Sequence, residues 1–490
     1  MLDLFSFIDV LKKPQPHPQI EASKDFLYDE GRTRGTLYIG GPGTGKTTST
    51  ANDIFYYFKR HPREAIFILD WSGSITDCLF KLLLQEPEYE KYLKRVVYDD
   101  MGNTDWCVPL PEFSQEYGSL EEQVQRVSQN LQQLDPDLTH KTPVLGGMAL
   151  SDVAVNFFRL ITAITNDLGD NWQITETKKL IYDESLLKLA VNRYGYKEPS
   201  AKIWLENSYI NTKAQEKYLS TKAIISSLGV IEPTAIRARI GYYRPAWTPK
   251  EAIENGIMVI CDGAKLINQR KAQYYLFMQL YSLIKQEINK RRPDNPKDLP
   301  VILLLDEVYS LLRIPGMADE IASLSPQYRS RKLRLCIVLQ ELAQMSEELR
   351  PHIWSLGNLI CFAISNHDEA FQIAQQLFKY DPYAVKVAPI KEEQHPIMEP
   401  DRGQYLLYAD WIQSLGFRQC FMRRYESQAK KESKVQFVSR TYDFPTKELH
   451  MDIDEAKDAL IKERGIRVHD ALKDINERNI KEDPKVRPEL

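Results

Sequence analysis

The sequence predicts an α/β protein, with a mostly parallel sheet carrying helices on both faces and an inserted all-α domain. Three observations carry this. Short unalternating runs of Val, Ile and Leu recur along the chain, helical segments separate them, and between residues 113 and 249 only helical spacing remains.

The strand runs are Leu37–Ile39, Ala65–Leu69, Val96–Tyr98, Ile257–Cys261, Val301–Leu305, Leu335–Leu339, Leu359–Ile364 and Tyr405–Tyr408. Helical spacing of apolar residues marks Leu120–Leu134, Ser151–Ile164, Thr175–Val191 and Tyr218–Leu228. The return to the sheet falls at Thr248-Pro249-Lys250-Glu251, an N-cap followed by a first-turn proline. The expected organisation is therefore an N-terminal segment and linker (1–34), a sheet domain in two parts (35–112 and 250–426) around the helical insertion (113–249), and a charged helical tail (427–490). In that tail Ala456–Ile461 and Val468–Ile475 read as amphipathic helices, either a pair that binds a protein partner or a mobile end. The apolar start, Met1–Leu11, reads as a short amphipathic helix for a partner, a membrane surface or its own core.

At 490 residues the chain has room for two to four domains, and 43% hydrophobic with 27% charged residues suits a soluble globular protein. The net charge of −4 argues against a protein that coats nucleic acid, so any such contact is local. Six scattered cysteines without a CxxC pair read as reduced, buried thiols of a cytosolic protein. No run approaches the roughly 18–20 apolar residues that cross a bilayer. The expected location is cytoplasmic, with any membrane attachment through partners or through the first residues.

The chemistry lies at strand ends. Gly40-Gly41-Pro42-Gly43-Thr44-Gly45-Lys46-Thr47 fits G-x-x-x-x-G-K-[ST], the Walker A pattern, and follows the run Leu37–Ile39. Its glycines let the backbone of Gly41, Pro42, Gly43, Thr44, Gly45 and on to Thr48 fold around a phosphate chain with its N–H groups pointing inward. Lys46 reaches the β- and γ-phosphates, and Thr47 offers a hydroxyl to Mg²⁺. This implies ATP with Mg²⁺ and an ATP-hydrolysing enzyme.

Val301–Leu305 ends in Asp306-Glu307, a Walker B pair. Asp306 would hold the Mg²⁺ shell and Glu307 would activate the attacking water. Asp70 also ends an apolar run, but it follows Lys46 by only 24 residues (70 − 46), which places its strand beside the phosphate loop. Leu335–Leu339 ends in Gln340, suited to sensing the γ-phosphate or positioning the water. Just before it, Tyr328–Arg334 is basic. One arginine of this cluster could reach a neighbouring subunit's γ-phosphate, or these are solvated or DNA-facing charges.

These elements in this order resemble the HerA–FtsK superfamily of motor ATPases, and within it the TraG/TraD coupling proteins of conjugation and type IV secretion. The likeness runs through Gly40–Thr48, Asp70-Trp71-Ser72-Gly73, Glu251–Ile260, Leu303–Glu307 and Arg329–Met345, where Leu339-Gln340-Glu341-Leu342-Ala343-Gln344-Met345 is like the group's glutamine motif. The resemblance implies a RecA-like sheet domain in a hexameric ring that threads DNA through its pore. It also implies roles for Arg329 as arginine finger, Gln340 as sensor and Glu307 as catalytic glutamate. Arg237, Arg239 and Arg244, with Tyr242 and Tyr243 between them, would then line the pore, although surface charge or core packing explains them equally well. The sequence departs from the group in showing no N-terminal membrane helices, and from HerA-type enzymes in leaving no room for a β-barrel before Thr36.

Two other cargoes fit the same motifs: a protein-secretion or assembly motor, and a nucleotide-switched scaffold in a defence or mobile-element complex. An AAA+ ATPase would bring its acidic pair much sooner after the loop, and a helicase would add nucleic-acid motifs after that pair.

Overall fold

The computed structural model describes residues 35–134, 150–165, 171–307, 328–345, 349–382, 385–387, 397–398, 400–426, 431–432, 435–442 and 445–478, with single residues 312, 321 and 347. Met1–Leu11 and the linker after it lie outside these. The described residues fall into two compact units, one within 35–95, 291–313 and 317–453, the other within 96–290 and 454–478.

Nine strands carry the mostly parallel pairing. In chain order they are β1 (Thr36–Ile39), β2 (Ala65–Asp70), β3 (Val96–Asp100), β4 (Met258–Asp262), β5 (Val301–Leu305), β6 (Leu333–Leu339), β7 (Asn358–Cys361), β8 (Cys420–Arg423) and β9 (Gln436–Val438). The first unit orders seven of them β9-β8-β7-β1-β6-β5-β2. From β7 to β2 neighbours run parallel, with Ile39 of β1 opposite both Leu339 and Cys361. β8 and β9 are antiparallel additions at the edge. Every residue of β1, β2 and β5 is buried. Alternate side chains point to opposite faces, so both faces of these strands are covered, as their evenly apolar sequences require.

Two expectations fail here. β2 does not lie beside β1: it pairs with β5, and β6 and β5 stand between. A strand's apolar run sets its burial and not its neighbours, and β6 and β7, which arrive late in the chain, take the places next to the phosphate-loop strand. Tyr405–Tyr408 is not a strand but part of the helix Asp401–Gln413. Its Tyr405, Tyr408 and Trp411 recur at helical spacing, Tyr408 stacks on Phe378 at 4.5 Å, and Leu406 and Leu407 are exposed.

In the second unit β3 and β4 pair in parallel. Around them lie helices that include Leu120–Leu134, Leu150–Thr165, Ala214–Ser227, Thr234–Gly241 and Arg270–Asn289. The expected helix Thr175–Val191 is broken into Thr177–Tyr182 and Glu184–Tyr194, because the Asp183 carboxylate accepts from Leu186 N–H and caps a new start. Thr248 caps the helix Pro249–Asn255 as its sequence predicts, accepting from Glu251 N–H at 3.1 Å.

The described tail helices, Ile453–Arg464 and Val468–Glu477, bury Ala456, Leu460, Ile461, Val468, Ala471 and Ile475. Ile466–Arg467 pairs with Trp106–Cys107, and the Arg478 guanidinium donates to Gly241 O at 2.7 Å. The apolar faces of this tail therefore pack on the chain itself.

Arg239 does not line a pore. It is 1% exposed and ion-paired with Asp99, which is fully buried. All six cysteines are buried free thiols. Among the described residues, no helix is long and apolar enough to cross a membrane.

Candidate active site

The loop after β1 is anchored on both sides: Gly40 N–H donates to Leu339 O at 3.3 Å and Gly41 N–H to Ala363 O at 2.7 Å. Gly43 and Gly45 sit at φ 72° and 103°, a region that glycine enters without strain. The helix Lys46–Arg60 starts directly at the loop, and its cap residue is Gly45, so no side chain covers its first N–H groups. Thr47 and Thr48 lie half-buried in that first turn. Lys46 folds back, its ammonium donating to Gly40 O and, at 2.7 Å, to Gly41 O. Burial lowers its pKa to about 8, against the pull of the Asp306 and Glu307 carboxylates.

The acidic pair stands at the matching end of β5. Asp306 is 4% exposed, and its N–H donates to Leu69 O at 3.1 Å. Burial, the charges of Asp70 and Glu307, and a hydrogen bond with the Asp70 carboxylate push the Asp306 carboxyl well above its usual range. Asp70 is itself held in place. Gly73 N–H donates to it at 2.9 Å, and both Thr76 N–H and Thr76 Oγ1 donate at 2.8 Å. Sequence reasoning left Asp70 out of the site because it set β2 beside β1. The signal was Asp70-Trp71-Ser72-Gly73, whose turn supplies those donors.

Glu307 takes φ 45°, a left-handed backbone that strains a residue with a Cβ. Its carboxylate accepts from Gln340 Nε2 at 3.0 Å. Burial and then Asp70 raise its proton affinity, while the Gln340 bond and the Lys46 charge pull it back. Raised basicity suits a group that takes a proton from water. Lys46, Asp306, Glu307 and Gln340 thus come together at one end of the sheet. Arg329 does not join them. It is exposed, in the turn Arg329–Arg331 at the amino end of β6, roughly 20 Å of strand from Gln340.

Among the described residues no group of three or more His, Cys, Asp or Glu could hold a metal ion alone. Thr47 and Asp306 offer two hard oxygens. That suits Mg²⁺, which binds through one or two protein oxygens and takes the rest from phosphate and water.

A glycine loop between strand and helix, facing acidic residues on a nearby parallel strand, is the phosphate-loop arrangement of RecA-like folds. Solved structures have a similar fold. The bacterial conjugative coupling protein TrwBΔN70 superposes with a TM-score of 0.54 at 12% identity, over 91% of this chain and 93% of its own. The plasmid coupling protein TrwB in complex with ADP and Mg²⁺ gives 0.55 at 13%, over 90% and 93%. VirB4 of Thermoanaerobacter pseudethanolicus gives 0.50 at 13%, over 89% and 99%. At such identities the likeness establishes the fold. No protein-family model matches the chain, and no curated protein matches it.

Proposed function

We propose that the chain is an ATP-hydrolysing motor of the conjugative coupling type, working as a hexameric ring that moves DNA. The observation that carries the reading is the Gln340–Glu307 bond beside Lys46 and Asp306, set in a fold like that of TrwB over nine-tenths of the chain. TrwB was solved with ADP and Mg²⁺ and with non-hydrolysable analogues of GTP and ATP.

In this reading the N–H groups from Gly43 to Thr48 hold the phosphates, since that of Gly41 is already bonded to Ala363 O, and Lys46 leaves the loop carbonyls to pair with them. Thr47 and Asp306 would hold Mg²⁺, which when bound offsets phosphate charge. Glu307 takes the proton of the attacking water, and Gln340 fixes the carboxylate that does so. Arg329 lies at the far end of β6 from its own site, so any role in hydrolysis would fall at a neighbour's. Arg329→Ala subunits should then poison wild-type subunits in mixed rings, and rings that work unpoisoned remove it from the site.

The cargo is tested by measuring Mg²⁺-dependent ATP hydrolysis with and without DNA. Stimulation by DNA supports the DNA motor. Stimulation only by a protein partner contradicts it and favours a protein-secretion or scaffold role.

A further inference from the structure

The turn before β8 reaches the phosphate loop. Phe421 of β8 stands opposite Cys361 of β7, and Cys361 stands opposite Ile39, the last residue before the loop. Arg418 N–H donates to Thr44 O at 3.0 Å. A Cβ on Gly45 would lie 2.7 Å from Arg418 Cγ, so the loop's glycine leaves room for this arginine.

The turn is fixed on several sides. Gly416 N–H donates to Gln419 Oε1 at 2.8 Å, and Thr441 N–H donates to Arg418 O at 2.8 Å. The Arg418 guanidinium donates to Tyr442 O at 3.4 Å. Arg418 sits at φ 61°, a strained setting for a residue with a side chain. These contacts hold it there, and they place the preceding side chain at the surface. That side chain is Phe417, 67% exposed, with the Arg418 guanidinium 4.9 Å from its ring centroid.

An exposed flat ring backed by a cation, on a turn bonded to a phosphate loop, has the chemistry that stacks a nucleobase. We propose that Phe417 and Arg418 form the base platform for the nucleotide whose phosphates Gly40–Thr47 hold. The proposal rests on the nucleotide reading above. Stacking engages the face of a purine rather than its edge, so the platform takes adenine and guanine with little preference.

The test uses the full-length protein with Mg²⁺ and three ligands: ATP, GTP and inorganic tripolyphosphate, which has no base. Phe417→Ala should weaken ATP and GTP binding about tenfold and leave tripolyphosphate unchanged. Phe417→Trp should bind ATP as the wild type does, with an added fluorescence quench that ATP causes and tripolyphosphate does not. Lys46→Ala should lose all three ligands. Phe417→Ala with wild-type ATP binding, or with all three ligands weakened alike, overturns the platform. If Phe417→Ala slows hydrolysis without changing binding, the ring contacts something other than the base, and the platform is again overturned. A wild-type protein that binds none of the three overturns the nucleotide reading and the platform with it.

Discussion

Gln340 Nε2 donates to Glu307 Oε1 at 3.0 Å, and this bond ties together the ends of neighbouring strands β5 and β6. The donor is neutral and cannot take the proton that Glu307 must accept. It orients the carboxylate while burial and Asp70 keep its basicity up. Glu307→Gln should therefore bind ATP within a few-fold of wild type and hydrolyse it at least about 100-fold more slowly. Gln340→Ala should cost less, about tenfold, and little more when added to Glu307→Gln, since the two act as a unit. Single-turnover hydrolysis with separately measured binding reads both. A Glu307→Gln variant that turns over at the wild-type rate removes Glu307 from the chemistry.

Lys46 predicts a pH dependence. Its charged form pairs with phosphate, and burial brings its pKa to about 8. Below that pH the ammonium is already protonated and ATP affinity is level. Above it, binding must take up a proton, so affinity falls by up to about tenfold per pH unit. Lys46→Arg stays charged and should remove this decline, even if it binds more weakly throughout. Isothermal titration between pH 7 and pH 9.5 distinguishes the two profiles.

Asp306 sets function against stability. Its pKa is raised in the folded protein, so the folded state binds more protons than the unfolded one across the window above the ordinary carboxylate value. Stability from this group is full below that value and is lost as pH rises toward the folded pKa. Asp306→Asn keeps the shape and a donor for Asp70 without the charge. It should stabilise the protein by about 1–2 kcal/mol at neutral pH, gain nothing at strongly acid pH, and lose Mg²⁺-dependent hydrolysis. Thermal melts across pH check the sign.

Arg239 tests the choice between pore and core. Replacing it with Met leaves Asp99 buried without its partner, which should cost about 3–5 kcal/mol in chemical denaturation. Adding Asp99→Asn should recover part of the loss. A pore residue would leave stability unchanged and weaken DNA binding instead.

Much of the site was legible because its chemistry is local. Gly40–Thr47 needs only a strand before it and a helix after it, and Asp306-Glu307 and Gln340 each end an apolar run. Asp70 was misplaced because strand order depends on which strands insert later, and nothing within Ala65–Leu69 encodes its neighbour. Arg239 stayed open between pore, surface and core for a similar reason, since its buried partner Asp99 lies 140 residues earlier. Tyr405–Tyr408 misled because four apolar letters fit a strand as well as a helix, and its aromatic spacing was the better guide. The antiparallel strands β8 and β9 went unread because their apolar residues, Cys420-Phe421-Met422 and Phe437-Val438, sit between polar and charged neighbours that mask so short a run.

The central claim is that ATP turnover at this site moves DNA. The most direct measurement is displacement of a triplex-forming oligonucleotide from duplex DNA, with ATP and Mg²⁺, by the wild type and by Glu307→Gln. ATP-dependent displacement by the wild type alone is the predicted result. Vigorous ATP hydrolysis in the presence of DNA, with no displacement by either protein, contradicts it.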